Sequence, residues 1–322
     1  MRIAWATQSD DIGNQYGFSH GNRWGQKCLR MAGVEICADA DTVVHHCPPH
    51  AFSPVVGKRN VLWTAWEFPI LPDWETQTLD GADIICVTAR FLVDVFSAYT
   101  DKPVHYVPQG IDTETYFAKF RNFPKQHSKR KPFRCLWIGA SNERKGFQFL
   151  LSAWQPFGDR ADMELYMKTT LTGKLVKEGN VTFDSRDLSQ DEMVKLYQSA
   201  DCFAFPSMAE GFGFTLGEAM ACGLPCIYTP CTSLTDIAGE HVAIPLKYQT
   251  GKNFTLISPD KSERLPVEAA APDVSDLASK ILWVKRHAAQ ADKIGRSAAA
   301  HIRKCFTWNM AGRKLRHALE SS

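Results

Sequence analysis

Glu210 and Glu218 stand eight residues apart in the segment FPSMAEGFGFTLGEAMACGLPCIYTP, which runs from Phe205 to Pro230. Glu210 lies in a loop with Gly211 and Gly213, and Glu218 lies one turn into the helix that follows, predicted from Thr215. At such a helix start the backbone N–H groups of Gly213, Phe214 and Thr215 have no intrahelical acceptor. Together with the helix dipole they favour an anion. Gly211 and Gly213 let a ligand approach the backbone closely. A carboxylate accepts two hydroxyl hydrogen bonds well, so both glutamates suit the diols of a sugar or a ribose. The chemistry implied is a phosphate held between hydroxyl-binding carboxylates.

Those residues need a strand to deliver the loop and a second strand to receive the helix. ADCFAF is a buried strand that ends at Pro206-Ser207. Gly223 ends the helix, and Pro225 starts the next strand. The same alternation runs through the chain. In the first half the strand-like runs are Ile3–Thr7, Thr42–His46, Val61–Ala65, Asp83–Thr88 and Val104–Val107. In the second they are Phe133–Ile138, Met163–Lys168, Val181–Asp184, Cys202–Phe205 and Pro225–Thr229. Helical stretches such as Asn22–Met31, Arg90–Ala98, Gly146–Ala153, Asp191–Ser199 and Val274–His287 lie between them. Strands rich in Val, Ile, Cys and Phe, each followed by a helix, predict an α/β fold of parallel sheets covered on both faces.

The chain has 322 residues, a length that suits two domains. It is 44% hydrophobic with a net charge of +2, which excludes a disordered chain and any general affinity for nucleic acid or acidic membranes. The opening MRIAWATQSD carries Arg2 and Asp10, so neither a signal peptide nor a membrane anchor is expected. No segment reaches 18 uninterrupted apolar residues, and a soluble, cytoplasmic protein without a transmembrane segment is expected. The 10 cysteines sit mostly in apolar runs and read as reduced, buried thiols. His45, His46, Cys47 and His50 cluster, but their spacing fits no standard zinc pattern, and no metal site is expected.

AKFRNFPKQHSKRKP, residues 118–132, carries seven Lys, Arg or His positions and no acid. It reads as a solvated linker between two α/β halves. It would also serve as a basic lip on a cleft, drawing in phosphates or an anionic acceptor. Residues 1–117 then form the first domain and residues 133–305 the second.

The 205–230 segment resembles the E-x7-E signature of the family-4 (group 1) retaining glycosyltransferases. Val107-Pro108-Gln109-Gly110-Ile111-Asp112-Thr113 is similar to that family's P-N-G-V-D-T turn at the end of the N-terminal half. Ile138-Gly139, followed by Lys145-Gly146, resembles the G-R-x-x-x-x-K-G loop that opens the C-terminal half. Tyr197-x-x-Ala200-Asp201, Ile237-Ala238-Gly239 and the terminal Phe306-Thr307-Trp308 also follow the family pattern.

The resemblance implies a GT-B fold: two Rossmann-like domains facing across a cleft, the N-terminal one compact. A last helix, about 306–322, would pack back on the first domain. It implies a nucleotide-diphosphate sugar bound mainly by the second half and an acceptor hydroxyl presented by the first. On it, Glu218 would hold ribose hydroxyls and Glu210 hydroxyls of the transferred sugar. Lys145 would neutralise the diphosphate. Gly211, Phe212, Gly213, Phe214 and Thr215 would form the donor loop. The family's arginine after the first-loop glycine is Ala140 here, so either Arg144 supplies the missing guanidinium or the site runs with one cation fewer.

On the acceptor side, the loop Asp11–Trp24 offers Gly13, Asn14, Gly17 and His20. Glu67, in Trp66-Glu67-Phe68-Pro69, is the expected acceptor-side carboxylate. Asp112 is expected to organise the hinge. The acceptor expected is a glycan or lipid-linked saccharide, with a modified DNA base as the alternative and peripheral membrane contact left open. No cofactor and no metal are expected, since no DxD-type pair stands beside the phosphate site. A dinucleotide-dependent oxidoreductase would need G-x-G-x-x-G after a first strand, and neither half has it. A phosphorylase or epimerase of the same architecture would share the cationic cleft. A non-catalytic binder of sugar nucleotides would need the two glutamates lost.

Overall fold

Strands buried on both faces need helices on both sides, and this chain builds two such sheets. The computed structural model describes residues 1–6, 16–118, 132–169, 173–239 and 241–321. Gly13, Asn14 and the basic stretch from Lys119 to Lys131 lie outside the described residues.

The first half runs β1 (Arg2–Ala6), α1 (Tyr16–Met31), β2 (Glu35–Ile36), β3 (Thr42–His46), β4 (Arg59–Thr64), α2 (Asp73–Thr76), β5 (Ile84–Val87), α3 (Phe91–Ser97) and β6 (Val104–Tyr106). Its sheet has the order β2-β1-β3-β4-β5-β6, parallel throughout. The second half runs β7 (Phe133–Ile138), α4 (Phe147–Trp154), β8 (Met163–Lys168), β9 (Leu175–Glu178), β10 (Val181–Asp184), α5 (Gln190–Ser199), β11 (Cys202–Phe205), α6 (Phe214–Ala221), β12 (Cys226–Tyr228), α7 (Leu234–Ala238) and β13 (Ile244–Pro245). Its sheet order is β13-β12-β11-β7-β8-β10-β9, parallel except for the antiparallel edge strand β9. The chain ends with a hairpin, β14 (Tyr248–Ile257) and β15 (Arg264–Pro272), and three helices: α8 (Val274–Arg286), α9 (Ala288–Cys305) and α10 (Trp308–Glu320).

The α/β reading therefore holds, and five of the ten predicted strands match to the residue: β3, β7, β8, β10 and β11. Helix α10 lies on the first half. Its Trp308, Ala311, Leu315 and Leu319 join Ile3, Val61, Trp63 and Ile84 in one core. The chain crosses between halves twice at one place, where the Ile111 N–H donates to the Phe306 carbonyl at 2.7 Å. A Cβ on Gly110 would run into the backbone of Trp308 there, which is why that turn is glycine.

The hairpin was not expected from the sequence. Its strands, YQTGKNFTLI and RLPVEAAAP, alternate too weakly to signal a sheet. In space it leans on the first half: Phe254 stacks on Phe68 at 5.2 Å, and Val267 and Ala269 pack with Trp66 and Phe68.

All ten cysteines are free, eight of them buried, with Cys37 and Cys305 half-buried. The His45, His46, Cys47 and His50 group does not converge. His46 bonds the Trp63 carbonyl and Gln109, His45 bonds Asn60, and His50 bonds Glu75. Among the described residues no group of His, Cys, Asp and Glu is placed to hold a metal ion. Nor is any helix among them long and apolar enough to cross a membrane.

Candidate active site

The site grows from two loops at the carboxyl ends of neighbouring strands, β7 and β11. After β7, Asn142 accepts a hydrogen bond from the Lys145 N–H at 3.3 Å and closes a tight turn. Gly146 follows in the left-handed region, at φ 69°. A Cβ on it would clash with the Pro206 carbonyl, so only glycine lets this loop lie against the end of β11. The approach is sealed by the Arg144 carbonyl, which accepts from the Met208 N–H at 2.8 Å and lies 3.0 Å from Ser207 Oγ. Arg144 and Lys145 are thereby set beside Glu210.

The charges then pair closely. Lys145 Nζ donates to both Glu210 oxygens, at 2.7 and 2.9 Å. Ser207 Oγ donates to Glu210 Oε1 at 2.7 Å. Arg144 Nη1 lies 3.4 Å from Glu210 Oε2 and also donates to the Ala209 carbonyl. Its other nitrogen, Nη2, sits 3.1 Å from Glu67 Oε1, on the opposite half of the molecule.

Burial opposes ionisation of Glu210, but Lys145 and Arg144 overcome it and hold the carboxyl below its usual range. Burial likewise opposes the Arg144 charge, yet Glu67 and Glu210 raise its pKa. Lys145 is lowered, because burial and the neighbouring Arg144 outweigh the pull of Glu210.

The Glu210 loop also rests on the first half. Thr88 Oγ1 donates to the Gly211 carbonyl at 2.7 Å, and a Cβ on Gly211 would lie 3.1 Å from Ala65 Cβ. Gly213, at φ 95°, turns the chain into α6. The first intrahelical bond of the turn is Gly217 N–H to the Gly213 carbonyl, so the N–H groups of Phe214, Thr215 and Leu216 lie ahead of it. The helix starts one residue earlier than predicted, at Phe214. Phe212 is buried, while Phe214 stacks on Trp308 and meets His20 edge-on at 5.0 Å. His20 therefore reaches the loop that opens α6 from the first half. Burial and nearby Arg23, against Asp112, push its pKa down to about 4, so the ring is neutral.

Glu218 faces inward from α6 and is only 2% exposed. Tyr197 OH donates to its Oε2 at 2.8 Å, and Oε1 has no hydrogen-bond partner among the described residues. Burial pushes its pKa up to about 7, against the hydroxyls of Tyr197 and Tyr116.

The structure thus brings Glu210, Lys145, Arg144 and Glu67 together, with Gly211 to Thr215 alongside and His20 at the helix start. Asp112 sits at the crossing, its Oδ1 accepting from the Glu114 N–H at 3.2 Å. Sequence reasoning gave no role to Ser207, Thr88, Tyr116 or Tyr197. Tyr197 stood in a matched stretch, but its target is 21 residues away.

The two facing α/β halves, the crossing at Ile111 and the returning α10 define the GT-B architecture. Residues 132–265 match the family model for glycosyl transferases, group 1. The chain is 28% identical over 217 residues to an MMP α-(1→4)-mannosyltransferase of Mycolicibacterium hassiacum, covering 61% of this chain and 49% of that protein. It is 27% identical to a D-inositol 3-phosphate glycosyltransferase of Pseudarthrobacter chlorophenolicus, over 48% of this chain and 41% of that one. The chain thus spans about half the length or less of these curated relatives. The solved structure of Anabaena HepE in complex with UDP and glucose superposes with a TM-score of 0.70 at 14% identity, covering all of both chains.

Proposed function

We propose that this protein is a retaining glycosyltransferase. It would move a sugar from a nucleotide-diphosphate sugar to an acceptor hydroxyl, with a glycan or lipid-linked saccharide as the acceptor. The observation that carries the proposal is the convergence of Lys145, Arg144 and Glu210 at one edge of the loop that opens α6.

In the proposed reaction the bond from the anomeric carbon to the diphosphate breaks, and a bond from the acceptor oxygen forms on the same face. The acceptor proton passes to the departing diphosphate. Negative charge grows on that diphosphate, so Lys145, Arg144 and the N–H groups of Phe214 and Thr215 stabilise the transition state more than the ground state. Glu210 accepts hydroxyls of the transferred sugar while keeping Lys145 in place. Glu218 accepts the ribose diol, for which its unpartnered Oε1 supports the assignment. His20 borders the acceptor side as a neutral ring.

A thermal-shift panel of UDP, GDP, ADP and CMP sugars tests the donor class, since a ligand of the native state raises stability. NMR of the product then reads the anomeric configuration. Retention is expected, and an inverted product overturns the mechanism. Glu218→Ala is expected to weaken nucleotide binding by about 1.5–3 kcal/mol, the range for hydrogen bonds to charged groups. Calorimetry showing unchanged affinity removes Glu218 from the site.

A further inference from the structure

Resting on that donor reading, we infer that Glu67 is a positioning residue that fixes the Arg144 guanidinium from across the cleft. It follows the end of β4 and is flanked by two buried aromatic anchors, Trp66 at 8% and Phe68 at 2% exposure. Trp66 Nε1 donates to the Ile70 carbonyl at 2.7 Å and closes the turn. Phe68 is gripped by Phe254 of the hairpin that the second half sends over. Gly211 comes close enough that a Cβ on it would lie 3.3 Å from the backbone of Trp66. The backbone around Glu67 is thus tied to both halves, and its carboxylate is carried to Arg144 by packing.

The pairing is selective. Lys145 gives its Nζ to both oxygens of Glu210, at 2.7 and 2.9 Å. Arg144 is shared, with Nη2 on Glu67 and Nη1 on Glu210. A planar guanidinium held at both nitrogens cannot rotate, whereas one held at a single nitrogen can. The second anchor comes only from the first half, so the direction of this cation depends on the halves being in contact. Glu67 also balances the cluster: two cations, Arg144 and Lys145, face two carboxylates, Glu67 and Glu210. Removing it leaves a net positive site, which attracts a diphosphate at least as well but no longer aims Arg144.

The test is a double-mutant cycle of Glu67→Gln and Arg144→Gln, with Glu67→Asp as the charge-conserving control. Steady-state kinetics would vary donor and acceptor separately, and calorimetry would measure nucleoside diphosphate affinity. Glu67→Gln is expected to lower kcat at least tenfold, with both KM values and the diphosphate affinity within about twofold of wild type. Glu67→Asp should recover part of kcat. In the Arg144→Gln background, Glu67→Gln should cost nothing further, because a residue acting through another is not additive with it. Losses that multiply, or an acceptor KM that rises with kcat unchanged, overturn the inference and make Glu67 a direct acceptor contact. A wild-type chain that binds no nucleoside diphosphate and turns over no nucleotide sugar sinks the donor reading itself, and this inference with it.

Discussion

Glu210 and Glu218 lie on one continuous loop-and-helix segment, yet their surroundings are opposite. Glu210 is buried among opposite charges: Lys145 on both oxygens, Arg144 on one and Ser207 on the other. Glu218 is buried beside two phenols, with one oxygen unpartnered. The physical consequence is a carboxylate held ionised at one end and a carboxyl poised near neutrality at the other. A buried charge needs a partner of opposite sign or it takes up a proton. Glu210 has the first and belongs to an electrostatic device. Glu218 has neither a cation nor a full set of donors, and that is the profile of a group whose remaining donors arrive with a ligand.

The strongest way to break the compensated end is Lys145→Ala. It removes the main cation from Glu210 and from the proposed diphosphate. Turnover is expected to fall by about two to three orders of magnitude, the scale for a lost electrostatic contact in the transition state. Substrate affinity should change less. Kinetics in which kcat holds and only KM rises would make the lysine a binding group alone.

The uncompensated end is sharpened by Glu218→Gln. Below pH 4.5 the carboxyl is protonated in both folded and unfolded chains. Between 4.5 and about 7 the unfolded chain has lost the proton while the folded one keeps it. Stability therefore falls as pH rises through that window, and the full cost remains above it. Glutamine carries no such cost. The variant should be more stable than wild type by about 3 kcal/mol at pH 8 and equal to it at pH 4. Denaturant titrations at the two pH values measure this, and a difference that does not depend on pH would refute the assignment of the buried proton to Glu218.

Tyr197→Phe probes the same end more gently. It deletes the hydroxyl that donates to Glu218 Oε2 at 2.8 Å. The expected loss is about 1–2 kcal/mol at pH 8, where the partner carries its charge. The loss should shrink in the Glu218→Gln background. Equal losses in both backgrounds would mean that the phenol stabilises the fold through packing and its second contact, the Thr215 carbonyl.

These two ends were not equally legible in the sequence. The loop and its glycines follow from local rules, because a left-handed Gly213 and a helix start are set by neighbours in the chain. Matching two motifs put Lys145 and Glu210 in one site, but not their direct ion pair. The Tyr197–Glu218 bond and the Glu67–Arg144 pair could not be read, since each depends on how elements 21 or 77 residues apart are docked. Glu67 was expected on the acceptor side, and the docking of the halves sets its carboxylate 3.1 Å from Arg144. The hairpin escaped for the same reason: its Val267 and Ala269 join a core built largely from the other half, Trp66 and Phe68 included.

The smallest effect expected is none, and it tests whether the compensated end is complete. A leaving diphosphate needs positive charge, which a divalent cation or the protein can supply. Here Lys145, Arg144 and the N–H groups at the start of α6 offer that charge around one loop. If they suffice, turnover in EDTA should match turnover in added magnesium or manganese within error. Lys145→Ala frees the Glu210 oxygens that the ammonium holds, so a magnesium response is expected in that variant and not in wild type. Activity that collapses in EDTA and returns with the metal would show that the charge balance around Glu210 lacks a member, and would make its pairing with Lys145 a resting arrangement rather than the working one.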